Sequence, residues 1–464
     1  MKQPEFFFQP QQRRPHPVAA APDGQPVVYR TDTLVAPADT VTDPQVLAEL
    51  DAILAPGDWR LRPGPAQDSE TVLEIVGRPP DARQALANLR DAAGVSAPTA
   101  AAIAALDLRR QYFVGMPLPG KTGAPAKDGH AGAERAARAV IGPPPARHAA
   151  AAVPGGRRPV VALLDTGVGT HPWLAGAGDD PFWVDAQALG WDPSTAGDLP
   201  PDEDIGDITP ADGTLDTHAG HGTFLAGLIR QLAPDARVLS LHAMYGDGSL
   251  DPKVVLHALT WLRDRVGGAA ADPERFVDVL CLAFGYYERG ARDERHTADL
   301  FQVLGDLGNL GVRVVMSAGN QASDLPCFPA ALAGNAEGPR TRLASVGAVN
   351  PDGSFAEYSN FGTWVKEQAV GTAVVSTTPR FGRPQDGTHE YNPNNLVSGF
   401  ANWGGTSFAA GVFAGCVAAA LSAGAAGTEL RDVSGDAPHQ RAAGAFEVAR
   451  RRAVAPWAVA GHAG

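Results

Sequence analysis

Three short motifs place an aspartate, a histidine and a serine, in that order, where they could form one catalytic group. Asp165 ends the apolar run VVALLD, His221 opens the segment HGTFLAGLI, and Ser407 follows the glycine-rich turn GGT. A serine hydroxyl becomes an effective nucleophile only when an imidazole accepts its proton, and the imidazole needs a carboxylate that fixes its tautomer. The three residue types therefore indicate nucleophilic catalysis.

The surrounding elements predict that the three side chains meet at one edge of a parallel sheet. Between residues 159 and 421, apolar strand-like runs alternate with helical segments, which predicts an α/β, doubly wound, mostly parallel sheet. Ligands bind outside the carboxyl ends of the strands in such sheets. The predicted strands are Val160–Leu164, Arg237–Leu241, Val277–Leu282, Val312–Ser317 and Leu343–Val349, and the predicted helices are His221–Leu232, Pro252–Val266 and Thr297–Leu310.

The order of the motifs carries a resemblance to a known family. D-T-G at 165–167, H-G-T at 221–223 and G-T-S at 405–407 resemble the motifs of subtilisin-like serine peptidases, the subtilase family, over about residues 159–421. The sedolisins share a G-G-T-S motif but replace the histidine by glutamate and the oxyanion asparagine by aspartate. This chain keeps His221 and Asn320. The resemblance implies a serine endopeptidase that forms an acyl-enzyme on Ser407, with His221 as base and Asp165 as its orienting carboxylate.

The same resemblance implies further site residues. The segment VVMSAGNQ is similar to the family's strand ending in A-G-N, which implies that Asn320 donates to the oxyanion; such a donor lowers a barrier by about 3–4 kcal/mol. The residues implied for the substrate channel and its specificity pocket are Leu282, Ala283, Phe284, Gly285, Ser317, Ala318 and Gly319. No cofactor is required and no metal ligand is assigned. Calcium is common in the family, yet the chain has no D-x-[DN]-x-[DN]-G loop.

The chain also departs from the family pattern. After the serine the family usually reads M-A-x-P-H-V-A-G, and here Phe408 takes the first position and Gly411 replaces the proline. Trp173 replaces an acidic residue, Ala283 replaces a small polar one, and residues 334–342 form an insertion. These changes leave the catalytic roles in place, but the pocket's side-chain preference cannot be carried over from the family.

Composition divides the chain into five predicted segments. Residues 26–116 follow a β-α-β-β-α-β order, which predicts a small α+β, ferredoxin-like domain. It resembles the subtilase propeptide, which implies an intramolecular inhibitor and folding chaperone; an unrelated adaptor domain is the alternative. The other predicted segments are a disordered N-terminus at 1–25, a Pro/Gly/Ala-rich linker at 117–158, the peptidase domain at 159–430, and a C-terminal helix and tail at 431–464. The linker would contain any autoprocessing site, and its residues 149–153 are small enough to enter a cleft.

The net charge is concentrated beside the predicted site. The chain has 38 basic and 51 acidic residues, for a net charge of −13, which argues against nucleic acid as a partner. Between Arg158 and Arg230 there are twelve acidic residues and no basic one: Asp165, Asp179, Asp180, Asp185, Asp192, Asp198, Asp202, Glu203, Asp204, Asp207, Asp212 and Asp216. One interpretation is a solvated loop that aids solubility. The sharper one is an acidic rim near the cleft that favours basic substrate segments.

Location and the remaining reactive residues follow from short patterns. The N-terminus lacks a secretory apolar run, and the uncharged stretch 408–427 is typical of a buried helix, so we expect a cytoplasmic protein without a membrane partner. Three cysteines are too few for a disulfide framework. We expect buried thiols at Cys281 and Cys416, and Cys327 is either a buried, unreactive thiol or a residue near the base of the specificity pocket that the resemblance implies. We expect structural roles for His171 and His242, and His218 is predicted as a loop residue, with an alternative base as the other interpretation.

Two interpretations compete with an active peptidase. A subtilase fold can serve as a non-catalytic regulatory or binding module, although this chain has lost no member of the Asp-His-Ser set. Alternatively, the enzyme stays latent because its N-terminal domain is never removed.

Overall fold

The computed structural model describes residues 29–422 with gaps, together with residues 449 and 453. The gaps are 39, 42, 65–69, 78–79, 111, 114–135, 138–141, 150–151, 154–156, 177–179, 196–214, 289–290, 336–341 and 382–395. The chain divides into two units, residues 1–111 with 207–213 and residues 112–206 with 214–464. The predicted disorder at 1–25 and nearly all of the predicted C-terminal segment lie outside the described residues.

The first unit is a four-stranded antiparallel sheet covered by helices. Its elements are β1 (Tyr29–Pro37), α1 (Pro44–Leu54), β2 (Trp59–Pro63), β3 (Glu70–Gly77), α2 (Ala82–Arg90), α3 (Ala97–Ala105) and β4 (Asp107–Arg110). The strand order is β2-β3-β1-β4, which confirms the predicted α+β, ferredoxin-like arrangement. Asp43 and Asp81 start α1 and α2 by accepting hydrogen bonds from the backbone N–H groups of Gln45 and Gln84.

The last strand of this sheet differs from the prediction. The sequence favours a strand at 111–114, whereas β4 begins at Asp107, directly after α3. The chain turns early because Leu106 is buried in the core of the unit and Leu108 packs against the same cluster. Residues Tyr112–Phe113 form a separate strand, β5, which belongs to the second unit.

The second unit contains a parallel sheet, as predicted, with seven strands where the sequence predicts five. Its strands are β7 (Val160–Asp165), β8 (Trp183–Asp185), β9 (Arg237–His242), β11 (Val279–Leu282), β12 (Arg313–Ser317), β13 (Leu343–Val349) and β14 (Glu367–Val370), and their order is β14-β13-β12-β11-β7-β9-β8. Each neighbouring pair is parallel. Every residue of β7, β11, β12 and β13 is buried. Continuous apolar runs form these strands because both faces of the sheet are covered.

Helices cover the sheet and carry two of the predicted catalytic residues. They are α4 (His221–Leu232), α5 (Pro252–Gly267), α6 (Ala291–Asn309) and α7 (Thr406–Ser422). The bounds of α4 are as predicted, whereas α6 begins six residues earlier than expected. At Gly411 in α7, an added Cβ would lie 2.6 Å from Leu225 Cδ2 of α4. Glycine therefore allows the two helices to approach, which explains this departure from the family sequence.

Two small antiparallel sheets complete the second unit. In the first, β5 pairs with β10 (Ser249–Leu250). In the second, β16 (Phe400–Trp403) lies between β15 (Val374–Thr377) and β6 (Ala136–Ala137). In the part of the chain that the structure describes, no helix has the length and apolar character needed to cross a membrane.

Part of the segment predicted as a linker is fixed to the second unit. Arg147 donates to the backbone carbonyls of Pro234, Asp180 and Ala236 at 2.9–3.2 Å. His148 N donates to Asp235 Oδ1 at 2.7 Å. The Pro/Gly/Ala composition predicts a flexible connection, but the arginine and histidine within it supply specific contacts.

Candidate active site

The carboxyl edge of the sheet brings Asp165 and His221 into direct contact. Asp165 is the last residue of β7, and His221 is the first residue of α4. His221 Nδ1 and Asp165 Oδ1 are 2.8 Å apart, and the side chains are 1% and 2% exposed. Because an ionised carboxylate only accepts hydrogen bonds, Nδ1 must carry the proton and Nε2 is left as a proton acceptor.

Threonine and glycine residues of the motifs hold these two elements together. Gly222 N donates to Thr166 Oγ1 at 2.9 Å, and Gly169 N donates to Thr223 Oγ1 at 2.8 Å. A Cβ at Gly222 would lie 2.1 Å from the Gly167 carbonyl oxygen, so only glycine permits this approach. The D-T-G and H-G-T motifs are thus a pair of interlocking turns that set the distance between Asp165 and His221.

Ser407 lies in the first turn of α7, and its hydroxyl is held by a carbonyl group. Ser407 Oγ donates to the Ala283 carbonyl oxygen at 3.1 Å, and the side chain is 3% exposed. His221 Nε2 is buried and has no hydrogen-bond partner within the described residues. The Nε2 atom of His221 is therefore open as a hydrogen-bond acceptor, and the Ser407 hydroxyl is bonded to a carbonyl group. Hydrogen bonds between a nucleophile and its base are often unformed until substrate binds.

Asn320 is fixed by the residue that precedes the serine. Thr406 donates to Asn320 Oδ1 from both its backbone N and its Oγ1, each at 2.8 Å. Gly319 N in turn donates to Thr406 Oγ1 at 3.0 Å. The amide oxygen is thereby occupied, and the Nδ2 donor is directed past Gly405, where an added Cβ would lie 3.4 Å away. The sequence predicts no role for Thr406, although this residue is the middle one of the G-T-S motif.

Aromatic rings enclose the imidazole of His221. The ring centroid of Trp403 lies 5.7 Å away at a nearly perpendicular angle, and that of Phe408 lies 5.1 Å away. Phe224 packs against both of these rings, with centroid distances of 5.7 Å to Trp403 and 4.6 Å to Phe408. His218, 5.9 Å from His221, is held in its loop near Thr217 Oγ1 and the Asp247 carbonyl. The packing holds the imidazole in its contact with Asp165.

A pocket of about 260 Å³, including its open mouth, lies beside Ser407 and Asn320. Five of the seven residues predicted for the substrate channel line it: Ala283, Phe284, Gly285, Ser317 and Gly319. Leu282 and Ala318 do not; both are fully buried, Leu282 in the core beneath the sheet. The pocket also includes Cys327, for which the sequence left open a place at the pocket base, and three residues without a sequence prediction: Tyr287, Gln321 and Thr406.

A neutral polar network forms one wall of this pocket. Tyr287 Oη donates to Gln321 Oε1 at 3.0 Å and accepts from Asn360 Nδ2 at 2.8 Å. Asn320 N also donates to Gln321 Oε1, at 3.0 Å. Burial, followed by the nearby Cys327 thiol, raises the pKa of Tyr287 above its usual value, so the phenol stays neutral. The network therefore connects the pocket wall directly to Asn320.

Only part of the acidic segment is described, and one of its members lies away from the cleft. Asp180 accepts from Arg158 Nε at 3.0 Å and pairs with Arg237 at 3.3 Å. Both arginines stand at the amino-terminal ends of their strands, so the prediction that Asp180 flanks the cleft is wrong. Asp185, Asp192 and Asp216 are described, and the other seven acidic residues lie outside the described ranges. Within those ranges, no group of three or more His, Cys, Asp or Glu side chains is arranged to hold a metal ion.

Comparisons with known proteins relate part of this chain to a described family. Residues 156–434 match a family model described as the subtilase family. The chain is 29% identical over 167 residues to the "Thermophilic serine proteinase" of Bacillus sp. (strain AK1), covering 34% of this chain and 35% of that protein. It is 26% identical over 228 residues to "Subtilisin Savinase" of Lederbergia lenta, covering 47% of this chain and 66% of that protein. The matches thus span about a third to two thirds of these relatives.

Solved structures were also similar to part of the chain. A cold adapted subtilisin-like serine proteinase covers 61% of this chain and 79% of its own, with 19% identity and a TM-score of 0.40. A structure titled as a lanthipeptide protease covers 61% of this chain and 78% of its own, with 23% identity and a TM-score of 0.43.

Proposed function

This chain belongs to the subtilase family, and from that premise we propose that it is a serine endopeptidase that cleaves polypeptides through Ser407. The observation that carries the proposal is the buried 2.8 Å contact between His221 Nδ1 and Asp165 Oδ1, which leaves Nε2 open. Ser407 and Asn320 line the adjoining pocket. The site therefore has a nucleophile, an oriented base and an amide donor around one space that a peptide carbonyl could enter.

The proposed reaction has two similar halves. Ser407 Oγ attacks the carbonyl carbon of the substrate while its proton passes to His221 Nε2, and the carbonyl electron pair moves onto the oxygen. Asn320 Nδ2 and the backbone N–H of Ser407, at the start of α7, stabilise that oxyanion. The C–N bond then breaks, and the leaving amine takes the proton from His221. Water repeats the sequence on the acyl-enzyme, releasing the acid and restoring Ser407.

A fluorophosphonate probe tests the proposal directly, because it reacts only with an activated serine. We expect the wild type to be labelled and to hydrolyse casein, and Ser407→Ala to do neither. Ser422→Ala, a change on the same helix outside the site, is the matched control and should behave like the wild type. Absence of labelling in a folded wild type would instead favour the non-catalytic regulatory or binding module.

We also infer that the N-terminal domain acts as an intramolecular inhibitor and folding chaperone until it is removed. The wild type that is labelled and hydrolyses casein is then the matured protein, and permanent latency of the full chain is the alternative. Two features support the inhibitor role. The domain has the predicted ferredoxin-like strand order, and chain segments that follow it pair with the second unit as β5 on β10 and β6 on β16. Because β16 leads directly into the turn before Ser407, the segment that forms β6 lies beside the strand that precedes the serine.

Self-cleavage and truncation separate latency from its alternatives. A wild type that shortens on a denaturing gel while Ser407→Ala stays intact indicates a self-maturing enzyme. If both stay intact, activity released by deletion of residues 1–116 indicates latency. If the deletion folds and remains inactive and unlabelled, the inhibitor role fails.

A preference for basic substrates, and a cytoplasmic location, are finer parts of the proposal. The sequence pattern supports this preference through the acidic residues between Asp165 and His221, of which Asp180 does not contribute because it pairs with Arg158 and Arg237. Cleavage of Lys/Arg-rich over neutral peptides, reduced by added salt, is the expected result. Equal cleavage at all salt concentrations would remove the preference, and cell fractionation would test the location.

A further inference from the structure

We propose that Cys327 limits the depth of the pocket beside Ser407, so that the enzyme selects a short, uncharged side chain in the residue whose carbonyl is attacked. This inference rests on the proposed peptidase function and specifies its substrate class. It depends on two observations: the position of the thiol in the pocket lining and the absence of charge in the described part of that lining.

The thiol of Cys327 occupies the space next to Gly285, another residue that lines the pocket. A Cβ built at Gly285 would lie 2.5 Å from Cys327 Sγ, which is closer than real side chains pack. The thiol is held there by a two-residue bridge: Tyr286 N donates to the Phe328 carbonyl and Phe328 N to the Tyr286 carbonyl, both at 2.8 Å. Because the bridge fixes the backbone on both sides, Cys327 cannot easily move away from an incoming side chain.

The chemistry of the thiol is that of an apolar wall. Cys327 is 3% exposed and forms no disulfide. Burial raises its pKa to about 12, so the group stays protonated and does not act as an anion toward a basic substrate. Its effect on the substrate is therefore steric.

The remaining lining offers no charge partner. None of the described residues that line the pocket is Asp, Glu, Lys or Arg; its polar side chains are the neutral Tyr287 and Gln321, with Asn320, Thr406, Ser317 and Ser407 nearer the mouth. Tyr287 and Gln321 are already bonded to each other. A charged side chain that entered would lose its hydration without gaining an opposite charge, which is strongly unfavourable.

The position of the thiol favours a short side chain. Gly285 and Cys327 both line the pocket, and the thiol lies where a side chain at Gly285 would begin. A long or aromatic substrate side chain that extended along Gly285 would meet Cys327 Sγ, whereas the side chain of alanine or serine ends sooner.

Matched peptides that differ only in the residue before the scissile bond test this inference. For the active enzyme, we expect kcat/KM for Ala or Ser to exceed that for Phe, Lys and Glu by about tenfold or more. A single carbon atom that does not fit a substrate pocket already changes kcat/KM by about that factor. In Cys327→Gly the value for Phe should rise about tenfold while that for Ala changes less than about threefold. Cys327→Ser, of nearly the same size, should keep the wild-type ratios.

Controls separate this inference from its premise. Cys416→Ala, a buried thiol outside the pocket, should leave the ratios unchanged. If Cys327→Gly does not fold, Cys327→Ala gives the same comparison with a smaller expected gain. A wild type that prefers Phe or Lys, or folded variants with unaltered ratios, would overturn the role of Cys327. Failure of fluorophosphonate to label the wild type would overturn the peptidase function instead.

Discussion

The side-chain oxygen of Asn320 accepts two hydrogen bonds from a single residue, Thr406, one from its backbone N and one from its hydroxyl, each 2.8 Å long. Thr406 directly precedes Ser407. The position of the amide group that would stabilise the oxyanion is therefore coupled to the position of the nucleophile. An amide held by two bonds in a buried site loses little free energy in reorganisation when charge develops next to it.

Loss of either member of this pair should lower kcat. We expect Asn320→Ala to reduce kcat by about 10²–10³-fold, because one oxyanion donor is lost. Thr406→Val should cost less, about tenfold, because Asn320 remains but Gly319 N and Asn320 Oδ1 each lose a partner. Steady-state kinetics of the singles and the double variant measure the coupling; Thr406→Ser keeps the hydroxyl and serves as the control. Fully additive losses would contradict a shared role.

Replacing Asp165 by asparagine should nearly abolish turnover without unfolding the protein. Asp165 Oδ1 accepts from His221 Nδ1 and also from Thr166 N at 2.9 Å. An amide of the same shape no longer stabilises the imidazolium and permits the wrong tautomer, so we expect kcat to fall by about 10³–10⁴-fold. Rates should be measured together with a thermal melt, because an inactive variant that has unfolded says nothing about the tautomer. Retention of more than a tenth of the activity would contradict the assigned role.

The central sheet could be predicted because the pattern of its sequence is strong. Runs such as Val160–Leu164 and Leu343–Val349 are buried on both faces, so they are continuously apolar and easily found. The edge strands β8 and β14 were missed. Trp183–Asp185 is only three residues long and half-buried, and Glu367–Val370 contains an exposed position, so neither produces a clear pattern.

The pocket could be predicted only in part, because its depth depends on residues that are distant in sequence. Ala283 and Gly285 were found from their motif, whereas Tyr287 and Gln321 meet through a hydrogen bond between two loops. Cys327 was correctly expected to be buried, yet its contact with Gly285 depends on the bridge at Tyr286 and Phe328. No local pattern encodes a contact of this kind.

Acidification should destabilise the protein through His171. This side chain is 5% exposed, and its Nδ1 accepts from Trp173 N at 3.0 Å. Burial, with a further contribution from Arg380, lowers the pKa of His171 from 6.5 to about 4. The unfolded chain therefore binds a proton that the folded chain excludes, and stability falls as the pH drops from about 6.5 toward 4. At about 1.4 kcal/mol per pKa unit, the loss is at most about 3 kcal/mol.

Urea denaturation of the Ser407→Ala protein at pH 7 and pH 4.5 checks this effect, since that background avoids self-digestion. His171→Asn can still accept from Trp173 N but does not titrate in this range. The free energy of unfolding should therefore depend less on pH in His171→Asn than in its parent. An identical pH dependence in both proteins would assign the acid sensitivity to other groups.

Replacing Arg158 should destabilise the amino-terminal edge of the sheet. Arg158 is 5% exposed, donates to both oxygens of Asp180 and holds the His148 carbonyl at 2.6 Å. Removal of one partner from a buried ion pair costs about 3–5 kcal/mol, and about 2–4 kcal/mol is expected here because Asp180 is 32% exposed. Arg263→Met is the matched control: its pair with Asp264 is exposed, so the change should stay within about 1 kcal/mol. Equal effects of Arg158→Met and Arg263→Met on the free energy of unfolding would contradict the prediction.

If the chain cleaves itself, the new N-terminus should lie before residue 142. Trp173 Nε1 donates to the Gly142 carbonyl at 2.9 Å, and Arg147 places its guanidinium 5.5 Å from the ring centroid of Phe182. A peptide bond must leave such contacts and become extended before it can enter an active site, and Arg147 alone would lose three hydrogen bonds. Cleavage within residues 142–149 is therefore disfavoured.

Intact mass measurement and N-terminal sequencing of the matured protein locate that end, with Ser407→Ala as the uncleaved control. We expect the residues from 142 onward to remain on the peptidase after cleavage, as a segment that stabilises the sheet edge. Arg147→Ala should loosen this segment, lower the melting temperature and permit additional cleavage nearer to residue 158. A wild-type N-terminus between residues 149 and 159, with unchanged thermal stability after its removal, would contradict the inference that this segment belongs to the mature enzyme. The contacts of residues 142–149, and not their Pro/Gly/Ala-rich composition, determine whether they remain on the peptidase, because the hydrogen bonds of Arg147 hold this segment against the second unit.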